Sequence, residues 1–388
     1  MSPMRLVVFA MSIGVLVPPS RAAALACDTL PSPVYGVGGS AMSPVVGRLA
    51  TQLSGAVPIV TLVYQSPGAC VGVDTIVNGV AMTGVASYWD ATGTQRTCDL
   101  PVTGTPAQFG LSEIAAASCP GVTTLPAGVG DFSATVMPWE VVVPTASGEQ
   151  TISAEALYFV YGFGAAGVAA PWTNDGDIYK YSTVSADLIL MSRVLGIPPA
   201  KFHGTDVGNE SGMVIALSGS SSPEATIGFV GAATVATHGT VLHPLAYQHF
   251  EQSCGYWPDS TPGGADKLNV RDGHYPLWSA VHVYANVDAT GHITDVAAAS
   301  VVAQLTGEAA DASGVTPLDD SIAAGLVPSC AMQVWRDSDG GPLYSLAPTS
   351  SCGCYFEQRA TGATSCESCT TSCSTPGTVC RRGYCEAA

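Results

Sequence analysis

Charge is scarce in this 388-residue chain, and positive charge scarcer still: 11% of residues are charged, with 13 basic against 30 acidic and a formal net charge of -17. So few Lys and Arg exclude the basic footprint of a nucleic-acid binder, and the excess acid disfavours an anionic membrane surface. Small anionic ligands stay open, because backbone N–H groups act locally. Beyond the N-terminus no apolar run reaches the ~20 residues of a spanning helix; Leu157 to Ala170 and Ala297 to Val302 are only locally apolar. No G-x-S-x-G turn surrounds Ser40, and His243, His249, Asp259, His274 and His282 fall at no metal-ligand spacing. A serine hydrolase and a metal centre are therefore without support, no cofactor is implied, and the chain reads as a non-enzyme.

What is present is 47% apolar residues with 43 Gly and 27 Pro, the profile of a loop-rich globular chain long enough for more than one folding unit. Arg5, the apolar run Leu6 to Val17 and the small residues ending Ala24-Leu25-Ala26 form a secretory signal, 1–26, with the mature chain starting at Cys27. The protein is expected outside the cytoplasm: periplasm, cell surface or medium. In that setting the 13 cysteines read as disulfides. Thirteen is odd, and two readings of Cys27 stay open. Lipidation would leave twelve thiols for six bridges and anchor the chain; ordinary cleavage would free Cys27 to pair with Cys70 or another cysteine.

The run Pro33 to Arg48 carries Gly36, Gly38, Gly39 and Ser40 between an apolar strand and a helix, an arrangement that points free N–H groups at one spot. A helix over Val45 to Leu53, a buried strand over Val57 to Tyr64, a second turn at Gln65 to Gly72 with a helical Val73 to Asn78, and a strand over Val80 to Ser87 follow. This alternation indicates βαβ units in a parallel or mixed sheet. Cys98 and Cys119 are expected to pair around a surface loop, with a helical Ser112 to Ala117 near its end. Thr135 to Pro144 reads as a long strand passing from one region to another, a candidate hinge. Beyond it, ISAEALYFVYGFG (from Ile152) has helical spacing, and Ser185-Ala186-Asp187 stands where a helix needs its N-cap. Arg271-Asp-Gly-His274 reads as a structural turn. After about Ser350 seven cysteines fall among Ser, Thr and Gly with almost no aliphatic residues, so cross-links must hold that segment; Cys366-x2-Cys369 could hold zinc, but disulfides are preferred.

The order of these elements resembles the phosphate-binding members of the periplasmic solute-binding proteins, two-lobed receptors that hinge shut on a small ligand. The resemblance rests on Gly38-Gly39-Ser40, YQSPGACVGVDTI at Tyr64 to Ile76, Val85-Ala86-Ser87, the ISAEALYFVYGFG helix leading to Trp172, and Ser185-Ala186-Asp187. It implies an α/β fold with lobe I at about 27–140 and 245–345, lobe II at about 141–244, and a Cys-rich segment at 346–388. It further implies a small ligand, oxyanion-like, held by Gly39, Ser40, Ala41, Ser66, Gly68, Ala69, Ser87, Ser185, Ala186 and Asp187, with an ABC transporter as partner. The family's oxyanion contacts are substituted here: Ala69 replaces a Ser, Tyr88 stands at the Asp position, Tyr181 at the Arg position with Lys180 beside it, and Asp187 ends what would be Ser-Gly-Thr. An alternative follows from those changes, a surface interaction protein that keeps the fold without small-molecule binding and uses Cys27 or the tail for envelope attachment.

Overall fold

The computed structural model describes residues 25–307 and 317–388; most of the expected signal segment, 1–24, lies outside the described residues. Lobe I begins with β1 (Pro33–Gly38), α1 (Ser43–Gly55), β2 (Thr61–Gln65) and α2 (Ala69–Asn78). A hairpin of β3 (Val85–Trp89) and β4 (Gln95–Asp99) then precedes β5 (Phe109–Ser112). β1 pairs in parallel with β2 on one side and with β5 on the other. These three strands are buried almost throughout, which is why they read as apolar runs and not as alternating patterns. Gly72 lets α2 lie directly on the sheet: a Cβ there would come within 2.8 Å of the Gly38 Cα and the Leu111 carbonyl.

The element that joins the lobes is β6 (Val129–Pro144). Lobe II adds α3 (Ala154–Phe163), α4 (Ala186–Leu195), α5 (Glu210–Ser218), β7 (Gly228–Gly231), α6 (Ala232–His238) and β8 (Leu242–Pro244). The chain then returns through β9 (Trp278–Asn286) and α7 (Val296–Thr306). The first half of β6 pairs with β9, which also pairs with β5, while its second half pairs with β7 and β8. The expected crossing strand is thus present and longer than the sequence suggested. At its midpoint Trp139 is fully buried, its indole N–H donating to Ser279 Oγ (2.8 Å) and its carbonyl accepting from the Tyr275 hydroxyl (2.8 Å). Next to it the buried Glu140 lies 3.9 Å from Lys267 Nζ, which pairs with Asp259 at 2.7 Å.

Three expectations are corrected. Ser112 to Ala117 is not one helix: it is the end of β5, a turn, and the start of a short 3-10 helix at Ala116–Ser118, because Phe109 to Ser112 is needed as a strand beside β1 and the Ser112 hydroxyl closes the turn on the Ile114 carbonyl (2.6 Å). Val80 to Ser87 is broken at Gly84, with Ser87 in β3, an antiparallel neighbour of β2 that pairs on its other side with β4. Cys98 and Cys119 do not pair. Cys98 bonds Cys27, because β4 draws in the N-terminal stretch through the Asp99 N–H on the Leu25 carbonyl (2.8 Å), while Cys119 reaches Cys70 on the first turn of α2. The Cys27 sulfur is thus in a bridge, the pairing alternative of the two readings.

The C-terminal segment contains α9 (Gly353–Thr361), after α8 (Pro317–Ala323), and a hairpin of β10 (Thr378–Arg381) and β11 (Tyr384–Ala387). Bridges 354–366, 369–380 and 373–385 hold it, and Cys330–Cys352 ties it to lobe I. It also docks by packing: Phe356 is buried beneath the guanidinium of Arg271, 5.0 Å from its ring centroid, and Arg271 donates to the Ala331 carbonyl (3.0 Å). The Arg271 turn is structural, as its sequence suggested. Glu386, buried, accepts from the N–H groups of Cys354 and Tyr355 at the start of α9.

Cys254 is the one cysteine outside a bridge, and it is exposed. A thiol reagent applied without denaturant should therefore titrate one group per chain, and peptide mapping should place it at Cys254. Replacing Cys27 and Cys98 by Ser should cost about 2–4 kcal/mol in denaturant unfolding monitored on lobe I.

Candidate functional site

The turns after β1 and β2 lie side by side, the Gly68 N–H donating to the Gly38 carbonyl (3.1 Å). From there Gly39 to Ala41 and the start of α2 form one wall of a cleft of ≈ 230 Å³, and the stretch Tyr181 to Asp187 with Gly208 and Asn209 forms the opposite wall. The first wall is built from residues that precede β6 in the chain and the second from residues that follow it. Gly68 caps α2 without a side chain, so the amides of its first turn are left without a side-chain acceptor at the cleft. On the other wall Ser185 caps α4, its hydroxyl accepting from the Leu188 N–H (3.3 Å). Cys70 and Pro120 also line the cleft, so the Cys70–Cys119 bridge braces its rim.

Of the residues expected at a site, Gly39, Ser40, Ala41, Ser66, Gly68, Ala69, Ser185, Ala186 and Asp187 line this one cleft. Ser87 does not; it sits in the β3–β4 hairpin, where its hydroxyl accepts from the Gln95 amide (2.9 Å). Tyr88, expected at the family's Asp position, pairs across the same hairpin with Arg96 and is likewise remote. Tyr181 lines the cleft, and Lys180, its neighbour, does not.

The sequence reading missed the carboxyls that give the cleft its chemistry. The third parallel strand is β5, and its end delivers Glu113 to the cleft, only 1% exposed. Gly39 is what admits it, since a Cβ at that position would collide with both carboxylate oxygens of Glu113. Behind the facing wall Glu210, buried on the first turn of α5, accepts from the Gly231 N–H (2.8 Å). Glu113 Oε1, Asp187 Oδ1, Glu210 Oε2 and the Tyr181 hydroxyl are buried without a hydrogen-bond partner. Among the described residues no Lys, Arg or His lines the cleft.

Burial without a counter-charge dominates the electrostatics. Desolvation, with the Asp187 charge adding to it, raises the Glu113 carboxyl to about 8, against a lowering by N–H groups of Met42 and Glu113 itself. Asp187 is raised to about 7, again mainly by desolvation. Glu210 is raised well above its ordinary value by burial and by the charges of Asp187 and Glu113. The Tyr181 hydroxyl is raised well above the phenol range by burial and by Glu210 and Asp187. The site therefore offers acceptors on both walls that hold protons near neutrality. The only signal for Glu113 in the sequence was its place after FGLS, disguised by the inserted hairpin.

No protein-family model matches the chain, and no curated protein matches it. Solved structures do. A Clostridium perfringens protein assigned as a phosphate ABC transporter substrate-binding protein, with bound phosphate, is 10% identical at a TM-score of 0.52, covering 76% of this chain and 99% of that one. The ABC-type phosphate transport receptor of Vibrio cholerae is 12% identical at 0.46, covering 76% and 99%. The reduced regulatory domain of OxyR from Pseudomonas aeruginosa is 12% identical at 0.41, covering 72% and 98%. The first of these shows the fold: this chain shares the α/β architecture of that substrate-binding protein, with a disulfide-rich C-terminal segment added.

A carboxyl with a raised folded-state value binds its proton more tightly folded than unfolded, so the stability it lends is present below the ordinary carboxyl range, about 4.3, and is lost as pH rises. Stability should accordingly fall between about pH 4.5 and 8, the window set by Asp187 and Glu113. Melting temperatures across that range should show the decline, and E113Q should flatten it and melt higher than the parent at pH 8.

Proposed function

We propose that the chain is an exported, non-enzymatic solute-binding protein that holds a small ligand between two lobes, lobe I at about 27–140 and 245–345 and lobe II at about 141–244. The observation that carries this reading is the single cleft in which strand-end turns of lobe I face the start of α4 in lobe II, with unpartnered buried polar atoms on both walls. Buried polar groups are normally paired, and a ligand is the partner such atoms lack. One ligand touching both walls favours the closed arrangement of the lobes by its differential affinity for it, with β6 as the element about which they move.

The phosphate held by the Clostridium perfringens protein makes an oxyanion the inherited expectation, and an ABC transporter the inherited partner. The open first turn of α2 supports an anion at one end of the cleft. The buried carboxyls oppose one unless they keep their protons. That opposition favours the second reading, a surface interaction protein that retains the fold without binding a solute, with the docked C-terminal segment facing the envelope.

The two readings separate in solution. A solute-binding protein should gain melting temperature with at least one member of a panel of phosphate, sulfate, amines and neutral sugars, and its radius of gyration by small-angle scattering should shrink with that same compound. G39A should lose that binding at least tenfold, because the new Cβ displaces Glu113. No shift with any compound, and no co-purified small molecule by native mass spectrometry, would favour the interaction protein.

A further inference from the structure

We propose that the cleft selects a small organic cation, a ligand presenting a protonated amine or guanidinium to Glu113, Asp187 and Tyr181, and not a fully charged oxyanion. This rests on the solute-binding reading and names its ligand class. Among the described residues the lining carries Asp74, Glu113 and Asp187 and no basic side chain, so any full side-chain charge that faces the ligand is negative. Independently of the acids, the Tyr181 hydroxyl is 1% exposed, lines the cleft and has no partner, and Glu113 Oε1, in a side chain just as buried, has none either.

An ammonium or guanidinium supplies several N–H donors around one delocalised or compact charge, which satisfies such acceptors and neutralises them together. A fully charged oxyanion finds donors in the carboxyls only while they keep their protons, and among the described lining residues it meets no basic side chain. A bare metal ion fits less well: among the described residues no set of three His, Cys, Asp or Glu ligand atoms converges in the cleft, the one such group being bridge cysteines at 369, 373 and 385. Separated donors on a polyatomic cation span carboxyls that a single ion would not.

The position of the groups also explains closure. Glu113 comes from lobe I and Asp187 and Tyr181 from lobe II, so a cation between them is shared by both. Without it the same carboxyls, once ionised, repel across the cleft. The groups that face Glu113 are Asp187 from α4, Glu210 from α5, Tyr181, Tyr64 from β2 and Asp74 from α2, and all are acidic or neutral. Capture of a cation therefore releases protons from the carboxyls, and affinity rises with pH until the ligand's own amine titrates.

The test is calorimetry of the full mature chain at pH 6 and pH 8.5 with ethanolamine, putrescine, methylguanidinium and glycine, against phosphate, sulfate and glucose. The expected result is binding of at least one of the four nitrogen compounds, at least tenfold tighter at pH 8.5, with a heat that changes with the ionisation enthalpy of the buffer. Glycine alone among the four would place an anionic group at the open turn of α2 beside the amine; the others would show the amine to suffice. E113Q and D187N should each weaken binding at least tenfold while circular dichroism and melting show a folded protein; D187N serves if E113Q does not fold. Phosphate or sulfate binding with no response to the nitrogen compounds overturns the cation and leaves the solute-binding reading standing, as does a neutral or anionic small molecule found by native mass spectrometry. Silence from every probe together with a bare chain mass overturns both.

Discussion

One strand belongs to two ladders. β6 is paired with β9 over its first half and with β7 and β8 over its second, so each lobe depends on hydrogen bonds to a segment whose other end serves its neighbour. Trp139 marks the changeover, locked by Ser279 and Tyr275 from the returning chain. A shared strand fixes the register of both ladders, and the two walls of the cleft come from segments that precede and follow it in the chain. The buried Glu140, Lys267 and Asp259 lie at the same level, an ion cluster that satisfies itself and keeps a polar group beside the pivot without exposing it.

The cleft itself runs against the usual economy of a protein interior. Carboxyls taken out of water are costly unless paired with a cation, and Glu113, Asp187 and Glu210 have none. They persist by holding protons and by single backbone contacts, such as the Gly231 N–H on Glu210. Replacement by Gln or Leu would relieve that cost, so these carboxyls lower the stability of the fold that holds them. The same fold that elsewhere surrounds a bound phosphate here lines its cleft with buried carboxyls. Architecture and chemistry are separable, and the architecture alone does not carry the ligand across.

Covalent bridges finish what the core leaves undone. Cys27–Cys98 sews the N-terminal stretch to the β3–β4 hairpin, and Cys70–Cys119 ties the turn before the cleft to the loop that closes it. The C-terminal segment has too few aliphatic residues to fold alone, yet it is not merely a string of loops. Phe356 under Arg271 and the Glu386 carboxylate at the start of α9 give it a docking face, with Arg359 and Tyr355 bound to Asp319 as a polar margin.

Local sequence determined the pieces whose cause is local. The apolar runs of β1 and β2, the glycine turns after them, the Ser185 cap of α4 and the long apolar stretch of β6 all follow from propensity and burial, and they put nine of the ten expected residues around one cleft. Tertiary structure decided what depends on partners far along the chain. Which cysteine meets which was set by the β4 edge reaching back to residue 25, a contact that spacing does not encode. The hairpin at 85–99 displaced the third parallel strand, so Ser87 and Tyr88 fell away and Glu113 took the place at the cleft. The acidity of the site belongs wholly to that second kind of information: a carboxyl acquires a raised proton affinity only through the solvent that folding removes from it, and Glu113, Asp187 and Glu210 are strangers in sequence that share one desolvated space.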